Sequence, residues 1–316
     1  MNWLLRVITA LVPRQWGIAM RAEFASIDDP AARRSFVIGC LLATLRQARL
    51  WVAVAAGLVV VTAAFALTAG TASGSLRTAL IAYALLVLLI GGTARLSALR
   101  PAGPRAAMIR VLGLLLAAVF ATAVVVSFAH SGNPGERTTT GVPILAAVSV
   151  AYLLGLIVVT AGVPGSDDAG LARALGCGLG VGAVWTAGVL VVPPVTANAG
   201  PALLAVLVSM LVVAVLHRRA GAVPLALAAA AVCAVVVEAV VDVVAAWAPV
   251  RYIPLLPADN GPLTAAGRVA QSRLELGDPY VAVFFAGALA AVLAIVTILI
   301  ARRRTLVEPE FAVAEV

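Results

Sequence analysis

The chain contains no lysine, and charged side chains of either sign are few. Of its 316 residues, 11% are charged and 63% are hydrophobic, and the mean hydropathy is +1.10. A soluble domain carries about 25% charged and roughly 45–50% apolar residues. Because a larger core cannot absorb this excess, we expect lipid to solvate much of the surface. The lack of charge therefore argues against a soluble domain and predicts an integral membrane protein.

The motifs of common enzyme and metal sites are also missing. The three cysteines, Cys40, Cys177 and Cys233, form no CxxC pair, so neither a zinc site nor a disulfide framework is indicated. No Walker A, HExxH or GxSxG pattern occurs. His130 and His217 fall at opposite membrane faces and cannot share a metal. We therefore expect no enzyme activity, no cofactor and no metal.

Long apolar runs dominate what is present. Runs of about 17–25 residues predict transmembrane helices. Eight of them indicate an all-α, polytopic transmembrane bundle at 50–301, with a module at 1–49 before it and a cytosolic tail at 302–316 after it. The predicted spans are 50–69, 77–96, 108–129, 142–162, 173–193, 201–217, 222–247 and 279–301.

Arginine placement predicts the orientation of these spans. The net charge of +8 could suggest nucleic acid, but arginine is expected in the cytoplasmic loops of membrane proteins, so we expect no nucleic-acid partner. Both termini are predicted to be cytoplasmic, in the plasma membrane, because that orientation puts most arginines inside. The arginines left outside are Arg77, Arg137, Arg251, Arg268 and Arg273.

Residues 1–49 are too polar to span. The stretch "SFVIGCLLATL" has only eleven residues between Arg34 and Arg46, and Asp29 and Pro30 before it are typical of a helix start. Its apolar residues recur at helical spacing, which predicts an amphipathic helix that lies at the inner interface or packs on "NWLLRVITALV". The features "PRQWG", "AMRAE" and "DDPAARR" resemble the cytosolic helical prefix of many actinobacterial integral membrane proteins, including permease-prefix-type proteins. The resemblance covers only 1–49, implies a small helical module at the inner face and transfers no catalytic residue.

Two segments stand out on the predicted outer side. The stretch 130–141, "HSGNPGERTTTG", is expected to be a loop between the third and fourth spans. The longer loop 248–278 is expected to contain a short surface helix that begins at Thr264.

The stretch "VVVEAVVDVVAAW" places two carboxylates in an apolar run. Glu238 and Asp242 are four residues apart, so they share one helical face with small alanines, which favours a face packed inside the bundle. An intramembrane carboxylate is costly, and it indicates a proton or cation site or the floor of a substrate cavity. The structural alternative is an ion pair with Arg251 or Arg77, or with an arginine of the long loop. Burial disfavours the charged form of a carboxyl, so the deeper Glu238 is the better candidate for a protonated one.

The fifth predicted span carries "GCGLGVGAVWTAG". Its glycines Gly176, Gly178, Gly180 and Gly182 form two GxxxG spacings, which indicate close helix packing rather than phosphate binding.

These features favour a transport-associated membrane protein, permease-like or the membrane subunit of a transporter complex. The alternative is a non-enzymatic regulatory or accessory membrane protein. Either kind of protein would contact the lipid bilayer. These two interpretations also suggest a protein partner at the cytosolic face, which is a separate ATPase or a regulatory protein.

Overall fold

The computed structural model is helical throughout the residues that it describes. These are 14–45, 62–71, 73–96, 99–129, 134–191, 199–217, 221–247 and 280–311, with short pieces at 5, 8–9, 58–59, 250, 253, 264–265, 267–269 and 272. The main helices are α1 (Arg14–Ser26), α2 (Pro30–Leu45), α3 (Gly74–Leu96), α4 (Pro104–Ala129), α5 (Val142–Thr160), α6 (Asp168–Val191), α7 (Gly200–Leu216), α8 (Ala222–Trp247) and α9 (Val281–Phe311).

Six helices in this described part are long and apolar enough to cross a membrane, so the chain has the architecture of a multi-pass membrane protein. They include α3, α4, α6, α8 and α9, together with α5 and the turns that lead into it. The predicted span at 201–217 corresponds to α7, which is apolar but about 25 Å long at 1.5 Å per residue. Half of the predicted span at 50–69 lies outside the described residues, and 58–59 and 62–67 are helical.

Two expected boundaries differ from the structure. The stretch 130–141 was expected to be a loop, but Pro134–Glu136 is helical and Arg137–Gly141 forms a π-helix that runs into α5. Pro134 can begin a helix because the first turn needs no amide donor. The last helix does not end at 301, since α9 continues as one helix to Phe311.

The described residues before the bundle form two helices, α1 and α2. The Asp29 carboxylate accepts the amides of Ala31 at 3.1 Å and Ala32 at 2.9 Å, so it caps α2, and Pro30 occupies the first turn. One face of α2 packs against α1 and the first residues of the chain. The cluster contains Leu5, Ile8, Met20, Phe24, Phe36, Val37, Cys40 and Leu41.

The bundle is built around α8. It contacts α9, α6 and α7, whereas α5 joins α9 to a second group made of α3 and α4. Alanines fill most of the buried face of α8, and small residues of this kind let helix backbones approach closely in a membrane. The helix that carries the predicted carboxylates is therefore the most enclosed of the spans.

Candidate functional site

Glu238 lies inside the packed helices. Its side chain is 7% exposed, and Ala234, one turn earlier on α8, is 0% exposed. Counting 1.5 Å per residue, Glu238 is about 24 Å from the first residue of α8 and about 14 Å from the last. A carboxyl group therefore sits well within the apolar length of a spanning helix.

Beside Glu238, three helices cross closely. The Tyr152 hydroxyl on α5 donates to the Phe284 carbonyl on α9 at 3.0 Å, and the two rings stack with centroids 5.2 Å apart. A Cβ at Gly287 would collide with that hydroxyl and with the Ala234 side chain. Glycine at this position therefore lets α5, α8 and α9 meet.

The Tyr152 hydroxyl lies beside the Ala234 side chain, one turn before Glu238 on α8, and the charge of Glu238 acts on it electrostatically. A buried tyrosine hydroxyl needs a hydrogen-bond partner, and here the Phe284 carbonyl supplies one. The same buried cluster includes Tyr280, whose ring meets Trp185 edge-on at 6.0 Å. Glu238 thus lies on a helix face that packs in a cluster of aromatic and small apolar side chains, and the Tyr152 phenol is one polar group of that cluster.

Of the other three predicted members of the site, Arg77 is the one whose side chain the structure describes. The backbone of Asp242 lies in α8 one turn further on, but its side chain, and the whole of Arg251, lie outside the described residues. Arg77 lies near the start of α3, where its guanidinium stacks over Phe65 at 5.1 Å and donates to the Phe65 carbonyl at 3.5 Å. Arg77 is therefore engaged with Phe65.

The structure divides the four glycines of α6 into two pairs. A Cβ at Gly178 would collide with the Ala229 carbonyl oxygen, and one at Gly182 would lie 2.9 Å from a methyl carbon of Val236. Gly176 and Gly180 face open space, with nothing within 4 Å of an added Cβ. Only the Gly178–Gly182 pair therefore brings α6 against α8 within this chain.

A second polar centre lies at the opposite end of the bundle from the Trp185–Tyr280 pair. Arg110 on α4 is 5% exposed. Its guanidinium donates at 2.8 Å to the Thr160 hydroxyl, the Ile157 carbonyl and the Leu99 carbonyl. Thr160 and Ile157 belong to the last turn of α5, where the helix dipole is negative, and the Ile157 carbonyl accepts both this guanidinium and the Ala161 amide. A buried arginine therefore binds the C-terminal turn of α5 through hydrogen bonds.

Two more charged side chains reinforce this end. Arg302 on α9 donates to the Ala161 carbonyl at 3.2 Å and the Gly162 carbonyl at 2.8 Å. Asp168 accepts the amides of Arg105 at 3.0 Å and Ala106 at 2.8 Å, so it caps the start of α4. Asp168, the first residue of α6, therefore joins the starts of two helices, because its carboxylate satisfies amides of α4.

Sequence reasoning missed the residues that organise both centres. Arg110 was counted among the loop arginines, although its position two residues inside the predicted third span was a signal of burial. Tyr152 gave a weaker signal, since a tyrosine in the middle of a span needs a hydrogen-bond partner.

Within the described ranges, no three histidine, cysteine, aspartate or glutamate residues are grouped to hold a metal ion.

Comparison of the chain with protein-family models, curated proteins and solved structures finds no match. The resemblance of residues 1–49 to a permease-prefix-type module is therefore not supported by a family model.

Proposed function

We propose that the chain is a transport-associated protein of the plasma membrane and that Glu238 is its proton- or cation-binding carboxyl. The observation that carries the proposal is the 7% exposure of this side chain within α8, next to Tyr152. An ionisable group inside a membrane bundle is costly to keep and is most often functional.

The proposal includes eight spans with both termini in the cytosol. Arg110, Arg302 and the capped start of α4 meet at one end of the bundle. Clustered arginines favour the cytosolic end, and Glu238 then belongs to the outer half. A separate ATPase or regulatory protein would act at the arginine-rich end, next to the module at 1–49.

The test is ion flux through purified protein in lipid vesicles that contain a pH-sensitive dye. We expect the wild-type protein to dissipate an imposed pH gradient and Glu238→Gln to lose this activity while unfolding at the same temperature. Glutamine keeps the shape and hydrogen bonding of the side chain but cannot titrate. Glu136→Gln is the matched control, because Glu136 is exposed before α5. Equal flux for Glu238→Gln and wild type would rule out the proposed role.

A non-enzymatic accessory role is the second candidate, and a specific observation favours it. Many hydroxyl side chains within the spans bond to carbonyls of their own helix, so they stabilise helices rather than line a polar path. Examples are Thr122 to Ala118, Thr186 to Gly182, Ser209 to Val206 and Thr297 to Leu293. Under this alternative, Glu238→Gln would leave flux unchanged, and the described polar groups would act mainly in packing.

A further inference from the structure

Helix α2 carries apolar side chains on two sides. Its inner side packs in the module cluster through Val37 and Cys40, which are 2% and 7% exposed. Its outer side shows Ile38 at 55% and Leu42 at 53% exposed, four residues apart on one stripe. The sequence suggested that α2 either lies at the inner membrane interface or packs on the first residues of the chain. These two placements do not exclude each other, because α2 packs on the first residues and still presents a second apolar face.

This second face differs from the exposed leucines of the spans, which lipid covers in a membrane bundle. A helix that is apolar on both sides is stable only when both sides are covered. The other exposed positions around the stripe are Ala31, Ser35, Gly39 and Ala43, and the Ser35 hydroxyl is the one polar side-chain group among these four. Trp16, 56% exposed on α1, adds an aromatic side chain of the kind enriched at membrane–water interfaces.

Charge indicates which surface covers this face. Arg33 is held inside the module by the Ile27 carbonyl and the Phe24 ring, 5.5 Å from its guanidinium. Arg34 is exposed one turn before Ile38 on the same stripe. An arginine can lay its stem along apolar surface and reach a phosphate with its head. The combination of two large aliphatic side chains, one tryptophan and one guanidinium fits an anionic lipid headgroup layer.

We propose that Ile38, Leu42 and Arg34 form a docking surface for the anionic lipids of the membrane that the bundle spans. The chain enters its apolar part soon after α2 ends, so the bilayer is within reach of the module. Ile38 and Leu42 enter the boundary between headgroups and acyl chains, and Arg34 binds lipid phosphates. This proposal does not depend on a transport function.

The test places a spin label at single cysteines in the full chain, with the three natural cysteines replaced by alanine. The protein is studied in phosphatidylcholine vesicles with and without phosphatidylglycerol. At positions 38 and 42 we expect oxygen, which concentrates in lipid, to relax the label more than a water-soluble nickel complex does. The reverse is expected at Ala43, which follows Leu42 directly but lies 100° further round the helix.

The lipid composition and one substitution test the role of charge. We expect labels at 38 and 42 to lie deeper when phosphatidylglycerol is present. Arg34→Gln should remove this increase in label depth. Arg303→Gln, at an exposed site on α9, should preserve the increase. Access of the nickel complex to both labels would overturn the proposal, and so would protection from both reagents, which indicates a protein cover. Equal depth in the two kinds of vesicle would overturn the assignment to anionic lipid.

Discussion

Replacing Arg110 with methionine should destabilise the bundle by about 3 kcal/mol. Methionine fills much of the space of the arginine stem, so the change removes the charge and hydrogen bonds with little loss of packing. Three bonds of 2.8 Å are lost, to Thr160, Ile157 and Leu99. The Ile157 carbonyl still accepts the Ala161 amide at 3.1 Å, so the Leu99 carbonyl is the acceptor most affected.

The magnitude follows from these losses. A buried acceptor left without its donor costs about 1–3 kcal/mol. A cation at a partly buried helix C-terminus contributes up to about 2 kcal/mol. The desolvation cost of burying the guanidinium offsets part of the sum, because that cost disappears with the charge.

Equilibrium unfolding in mixed detergent–lipid micelles measures this difference. Arg105→Met is the matched control, because Arg105 lies in the first turn of the same helix with an exposed side chain and should change stability by less than about 0.5 kcal/mol. Arg110→Lys should fall between the two, since one ammonium group cannot reach three separate acceptors equally well. Equal free energies of unfolding for Arg110→Met and Arg105→Met would refute the reasoning.

Three further predictions follow from single contacts. Gly178→Ala should destabilise the protein by about 1–3 kcal/mol, because the added Cβ would collide with the Ala229 carbonyl. Gly176→Ala should not destabilise it, because an added Cβ there meets nothing within 4 Å. Thermal unfolding of the two variants tests this difference. Asp168→Ala should cost about 1 kcal/mol by removing the cap of α4, and Asp28→Ala, at an exposed position between α1 and α2, should change stability by less than about 0.5 kcal/mol in the same assay. Burial, and then the charge of Glu23, raise the pKa of the Cys40 thiol, so the folded chain holds this proton more tightly than the unfolded one. Stability should fall as the pH rises from the ordinary thiol pKa towards the raised one, and alkylation of Cys40 should need a higher pH than alkylation of the unfolded chain; equal pH profiles would contradict this.

The helices themselves were largely predictable from the sequence. Run length and apolar content located seven helices, most of whose ends lie within a few residues of the predicted ones. The cap at Asp29 was readable because its chemistry is local. The π-helix before α5 was not predicted, since proline and glycine there are equally typical of a turn. Local sequence rules describe one element at a time.

Contacts between helices were much less predictable. The spacing of glycines suggested packing but could not show that Gly178 and Gly182 meet α8 while Gly176 and Gly180 do not. The roles of Tyr152, Gly287 and Asp168 depend on which helices are neighbours, and the sequence alone does not specify this. The burial of Glu238 could be expected from its own helix, because a carboxylate next to lipid is unfavourable, but its neighbours could not.

Site-resolved labelling with a hydrophobic carbodiimide tests the central claim most directly. Such a reagent partitions into the bilayer and reacts with protonated carboxyl groups there. In lipid vesicles we expect an adduct on Glu238, found by mass spectrometry, and a loss of ion flux in proportion to its formation, while the exposed Glu136 stays unmodified. No adduct on Glu238 at any pH, or full flux after complete modification of Glu238, would contradict the assignment of this residue as a titrating carboxyl inside the membrane.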